Sequence, residues 1–204
     1  DMFFSITPKA GFISSIAGLF SKIKHRIHIF TGQVWYTKNG LVRYILKKFD
    51  QIIGILNSEC LVDSFSQKEF LINEKVFKSS DANLTVVGEG SICGVDTNIF
   101  YKIDKNHKTK LKEKFKLDKD SKVIVFLGRL NKDKGVFDLA KAFDEVKKNY
   151  KKKLYLLYVG FDEQNCIDKI KQQSDNFNDM VFYNYSGNPC EYLQIADIFC
   201  LPSY

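Results

Sequence analysis

Histidine and proline each occur three times in 204 residues, methionine twice and tryptophan once. The histidines (His25, His28 and His107) form no ligand cluster, so a His-based metal site has no support. Proline is scarce, and no Gly/Ser-rich or low-complexity tract is present. No apolar run approaches the roughly 18 to 20 residues needed to span a bilayer, and no signal peptide is visible. The five cysteines (60, 93, 166, 190 and 200) are odd in number and contain no C-x-x-C pair. That pattern points to free thiols in a reducing compartment, the cytoplasm, rather than a disulfide framework or zinc site. No G-x-x-x-x-G-K-[ST] segment is present, so P-loop chemistry is unsupported.

What is present reads as a globular chain able to bury a core, with 45% hydrophobic and 27% charged residues. The net charge of +7 is uneven. Residues 1–100 carry eleven basic and nine acidic side chains, 101–153 eighteen and eight, and 154–204 two and seven. A net of +10 in the middle suggests a local anionic partner or a solvated linker. The chain opens on Asp1 without methionine and stops at Leu201-Pro202-Ser203-Tyr204, where a strand should turn into a loop. A piece of a longer protein is therefore expected.

Short β-branched and aromatic runs alternate with helical patterns. Strands are expected at 2–6, 26–30, 60–64, 84–87, 123–127, 154–159, 180–183 and 198–201. Helices are expected at 12–23, 40–56, 66–73, 136–149, 166–173 and 190–196, the last with Asn188 as N-cap and Pro189 at its first position. The alternation implies α/β architecture with parallel sheets. Only the Lys-dense stretch 101–122 breaks the rhythm, with at most a short helix at 108–116. It is read as a linker between two incomplete Rossmann-like domains, 1–100 and 123–204.

Val123-Ile-Val-Phe-Leu-Gly128 reads as a buried strand ending in glycine, followed by Arg129, then Lys134-Gly135 and a helix. Ligands in parallel sheets gather at the carboxyl ends of strands. A glycine there lets backbone amides approach an anion, and the next helix N-terminus adds a favourable dipole. Arg129 and Lys134 would bring two cations to a phosphate. The plainer alternative is a surface turn with two solvated charges.

The segment Phe126-Leu-Gly-Arg-Leu-Asn-Lys-Asp-Lys-Gly-Val-Phe-Asp-Leu139 resembles the G-R-L-x(3)-K-G signature of retaining glycosyltransferases of family four (glycosyl transferases group 1). Asp197-Ile-Phe-Cys-Leu-Pro-Ser203 resembles the family's A-D-x-F-x-x-P-S segment. Ile6-Thr-Pro-Lys-Ala-Gly11, Phe30-Thr-Gly-Gln-Val-Trp35 and Gly90-Ser-Ile-Cys-Gly-Val-Asp96 resemble members that build bacterial surface polysaccharides on a lipid carrier. The resemblance implies a GT-B fold and transfer of a sugar from a nucleotide-sugar donor to a lipid-linked saccharide, with retention and no metal or cofactor. It assigns the catalytic role to Arg129 and Lys134, which stabilise the departing diphosphate. Donor binding falls to Gly128, Arg129, Lys134, Thr31 and Gly32, with Tyr185 stacking on the base. Thr31 stands where many relatives have histidine, and Asn184 where they have glycine. The family's E-x(7)-E loop would follow Tyr204, so these residues alone are expected to be inactive.

Other features carry less. Gly88-Glu-Gly-Ser-Ile-Cys-Gly94 departs from the dinucleotide fingerprint and reads as an interdomain loop. Asp118-Lys-Asp120 has the D-x-D form without a third ligand and reads as a solvated turn. Along 12–23, Ile13, Ile16, Ala17 and Phe20 share one face, with Lys22, Lys24, His25 and Arg26 beyond. That is read as a core helix with cations complementing its dipole, or as peripheral contact with the inner face of the cell membrane. The competing functions are a basic nucleic-acid-binding module, which lacks interleaved aromatics here, and another GT-B enzyme such as a sugar-nucleotide epimerase.

Overall fold

The computed structural model describes residues 1–91, 93–184 and 188–204. The chain divides into two compact units, Asp1–Gly94 and Val95–Tyr204.

In the first unit, β1 (Met2–Ser5), β2 (His25–Phe30), β3 (Glu59–Val62) and β4 (Leu84–Val86) lie side by side in chain order, all parallel. The crossovers are α1 (Pro8–Phe20), α2 (Gly40–Leu56) and α3 (Phe65–Asn73). Pro8 starts α1, where its missing N–H costs nothing. Ser64 caps α3 by accepting the Gln67 amide at 3.1 Å. Phe30, Trp35, Ile53, Cys60, Leu71 and Leu84 form the core.

The expected core face of α1 is not the one observed. Gly11, Ser15 and Gly18 face inward, because a side chain at Gly11 would strike the His28 ring and one at Gly18 the Phe3 ring. Ile13 and Phe20 are left exposed. Nor do cations complement the helix dipole: α1 stops at Phe20 with no base in its last turn.

The second unit contains α4 (Lys105–Lys114), β5 (Lys122–Leu127), α5 (Val136–Asn149), β6 (Leu154–Val159), α6 (Cys166–Gln173), β7 (Met180–Tyr183), α7 (Pro189–Ile195) and β8 (Ile198–Phe199). Its sheet is parallel, in the order β7-β6-β5-β8. The central strands β5 and β6 are apolar on both faces because both faces are covered. Phe126, Leu156 and Tyr158 pack with Leu139, Phe143 and Ile170. Val123, Val125, Leu157 and Val159 pack with Tyr192 and Ile195 on the other side.

The boundary lies at Gly94, beside the Gly88–Gly94 loop, rather than within 101–122. The Lys-rich stretch belongs to the second unit: Leu111, Phe115 and Leu117 enter its core, and the Lys112 ammonium is buried against the carbonyls of Lys119 and Ser121. Pro189 opens α7 as expected, but Asn188 makes no side-chain cap.

Candidate functional site

The second sheet winds from β5 through β6 to β7, then returns to place β8 on the opposite side of β5. The strand order therefore reverses between β5 and β8. Open parallel sheets bind ligands outside the carboxyl ends of strands at such a reversal. Gly128 and Arg129 follow β5 there, and Leu201, Pro202 and Ser203 follow β8.

A single 3₁₀ turn, Lys132–Lys134, carries the chain from β5 into α5. Asn131 starts it by accepting the Lys134 amide at 3.1 Å. Gly135 ends it with φ +67°, a left-handed conformation that side chains resist. A Cβ at Gly135 would also lie 2.1 Å from the Pro202 carbonyl oxygen. The segment after β8 is thus pressed against the start of α5, and the Tyr204 amide closes the contact on the Asp133 carbonyl at 3.0 Å. Two sequence segments some seventy positions apart, the Lys-Gly turn and the Pro-Ser segment, form one rim. The first-turn amides of α5 open beside it, lacking intrahelical acceptors as in any helix. Tyr158 fixes that helix start from below, its hydroxyl donating to the Val136 carbonyl at 2.8 Å in the core.

Arg129 is exposed and donates from Nη1 to Glu163 Oε1 at 2.9 Å. Asn131 donates to the other Glu163 oxygen at 2.8 Å. The Asn131 amide and, second, the Arg129 guanidinium hold the Glu163 carboxyl below its usual range. Only part of the guanidinium's donor set is used, so the fork can still meet an anion. The Lys134 ammonium makes no ion pair among the described residues, and Lys134 is half-buried. Gly160, after β6, has φ +156°, and a Cβ there would lie 1.8 Å from the Gly128 carbonyl oxygen. Sequence reading missed Gly160, Asn131 and Glu163. The glycine after a second buried strand was the available signal; the Glu163 contact had none, because it depends on the β5–β6 pairing.

Thr31 and Gly32 lie in the first unit, directly after β2, exposed. His28 is withdrawn from any such surface. It is 1% exposed, its Nδ1 is 2.8 Å from Ser5 Oγ, and burial pushes its pKa down to about 4. Tyr185 lies outside the described residues. A mainly apolar cavity of about 580 Å³ in this unit is lined by Thr7, Pro8, Phe12, Trp35, Phe49 and Asp50, among others.

Asp197 turned out to act far from the rim. Its Oδ2 accepts the Val123 amide at 2.9 Å, and its Oδ1 faces Lys108 and Lys122 at 3.1 Å each. Burial raises its pKa, but these partners outweigh it and hold the carboxyl below the usual range. It staples the amino ends of β5 and β8. Asp118 accepts the Asp120 amide within a turn, and among the described residues no three His, Cys, Asp or Glu side chains gather as a metal site. No helix among them is long and apolar enough to cross a membrane.

Residues 107–204, just under half of the chain, match the family described as glycosyl transferases group 1. The chain is 30% identical over 204 residues to the capsular polysaccharide biosynthesis glycosyltransferase CapM of Staphylococcus aureus, covering 97% of this chain and 51% of that protein. It is 28% identical over 164 residues to the uncharacterized glycosyltransferase MJ1069 of Methanocaldococcus jannaschii, covering 80% and 35%. The chain thus spans about half or less of the length of these relatives. Among solved structures, Anabaena Alr3699/HepE in complex with UDP superposes at TM-score 0.76 with 16% identity, covering 100% of this chain and 53% of that one. Sucrose-phosphate synthase from Thermosynechococcus elongatus gives 0.75 at 16% identity, covering 100% and 50%. The fold is accordingly part of a GT-B fold, in two parallel-sheet α/β units.

Proposed function

We propose that this chain carries the donor-diphosphate site of a glycosyltransferase that moves a sugar from a nucleotide-sugar to a lipid-linked saccharide in bacterial polysaccharide synthesis. The observation that carries the reading is the reversal of strand order between β5 and β8. It gathers Gly128, Arg129, Lys134 and the α5 N-terminus at one crevice rim. As the bond from sugar to diphosphate breaks, negative charge grows on the leaving phosphate. Arg129 and Lys134 would meet that charge, worth more where water is scarce. Gly128 and Gly135 would keep the backbone clear for the phosphates, while Asn131 and Glu163 hold Arg129 in place. The matched family and the capsular glycosyltransferase relative support the transferase class. A retaining, metal-independent course follows from the signature segment.

In the first unit, Thr31 and Gly32 would face the transferred sugar, and the apolar cavity beneath Pro8 and Trp35 suits the apolar part of a lipid-linked acceptor. Peripheral contact with the membrane is assigned to the exposed Ile13–Phe20 edge of α1.

The test is titration of UDP and GDP into the chain and into Arg129→Ala and Lys134→Ala. Each variant should bind the preferred diphosphate at least about tenfold more weakly, the size of a lost charge-assisted contact. Chelation should leave binding unchanged. Undiminished affinity in both variants removes the site.

A further inference from the structure

A second basic feature lies at the opposite, amino ends of β5 and β8. A cavity of about 420 Å³ there is walled by Lys102, Lys105, Lys108, Lys112, Lys119 and Lys122. Six lysines face three aspartates, a formal excess of three positive charges. Two of the aspartates are already committed. Asp197 serves the Val123 amide, Lys108 and Lys122. Asp104 accepts both the amide and the ring Nδ1 of His107, at 2.9 and 2.7 Å. The His107 bonds leave the Asp104 charge in place, so Asp104 and Asp120 are what remain to offset Lys102, Lys105 and Lys119, which make no ion pair among the described residues.

The floor is more telling than the rim. Lys112 is 6% exposed, and its ammonium donates to the carbonyls of Ser121 at 2.6 Å and Lys119 at 3.1 Å. An ammonium has three donors, so one has no acceptor among the described residues, in a side chain that lines the cavity. Burying a cation with an unfilled donor is costly unless an anion completes it. The turn that Lys112 grips is fixed as well, the Ser121 amide donating to Asp118 at 3.2 Å. The floor cation, Lys112, is therefore held in place before any ligand arrives.

We propose that this cavity is a second anion site, separate from the rim that holds Arg129, and that it takes a phosphate oxyanion of at least two negative charges. Lys112 forms its floor, and Lys102, Lys105 and Lys119 close over the ligand. The proposal does not depend on the glycosyltransferase reading.

The experiment is calorimetric titration of inorganic tripolyphosphate into the chain carrying Arg129→Ala and Lys134→Ala, which silences the other site. One-to-one binding is expected, weakening steeply with added salt. Adding Lys105→Ala and Lys119→Ala should weaken it by about tenfold or more, as charge-assisted contacts are lost. Both lysines are exposed, so these changes leave the core intact. Absence of binding in the first protein, or undiminished binding after the lysine changes, overturns the proposal. Dihexanoyl phosphatidic acid, a short-chain lipid bearing a dianionic headgroup, separates the sources. Tighter binding of tripolyphosphate supports a free polyphosphate as ligand, and tighter binding of the lipid supports a membrane headgroup.

Discussion

Asp50 is a carboxyl group placed where water scarcely reaches, 4% exposed, with the Trp35 indole donating to it at 2.7 Å. Burial pushes its pKa up to about 6, against the opposing effect of the indole bond. Between about pH 4 and 6 the folded chain therefore holds a proton that the unfolded chain releases, so stability falls as pH rises through that window. His28 works in reverse. Buried neutral with a pKa near 4, it costs stability as pH falls from about 6.5, where the unfolded chain takes up a proton first. Asp50→Asn removes the first slope. It should raise stability at pH 8 by up to about 3 kcal/mol, leave it unchanged near pH 4, and expose the His28 slope in urea unfolding. Equal stability of variant and parent at pH 8 would refute the assignment. Strand alternation along β2 places His28 on the same face as the buried Phe30. Asp50 gave no sign in the sequence, since its burial arises only when Trp35 folds over it.

At the scale of elements, the turn between β5 and α5 shows what a glycine can be asked to do. Gly40 and Gly135 both have positive φ, +59° and +67°. Around Gly40 nothing lies within 4 Å of an added Cβ, whereas at Gly135 the Pro202 carbonyl blocks it. Gly40→Ala should cost about 1 kcal/mol for the left-handed backbone alone. Gly135→Ala should cost clearly more and loosen diphosphate binding, because the segment after β8 must move. Thermal melts of the two variants side by side measure the difference, and equal losses would show that the Pro202 contact matters little. Most element bounds were legible: α2, α5, α6, β6 and β7 fall where periodicity and strand composition put them. The inner face of α1 was not. Glycine and serine leave no apolar periodicity, and here the rings of His28 and Phe3 fill the space that side chains would take.

For the whole molecule, charge and apolar surface are distributed differently from their order along the chain. Within the basic middle stretch, Lys108, Lys112 and Lys122 serve the fold of the second unit, which is why that stretch is not a linker. In the first unit Phe20 is 81% and Ile13 58% exposed, with Lys22 and Lys24 close behind. Such an edge should bind vesicles containing anionic lipid in flotation assays, less strongly as salt is added. Ile13→Ser with Phe20→Ser should release it; unchanged flotation in that double variant would sink the membrane assignment.

The sequence by itself determined the alternation of strand and helix, the buried character of β5 and β6, and the Gly-Arg and Lys-Gly pairs that flank one turn. These follow from spacing over a few residues, which local sterics and helical or extended periodicity set. Only the tertiary structure decided that β8 joins β5 on the side away from β6, and so that Pro202 closes on Gly135 while Asp197 is spent at the far end of the sheet. Strand neighbours are chosen by burial of apolar faces between segments distant in the chain, and no local pattern records that choice.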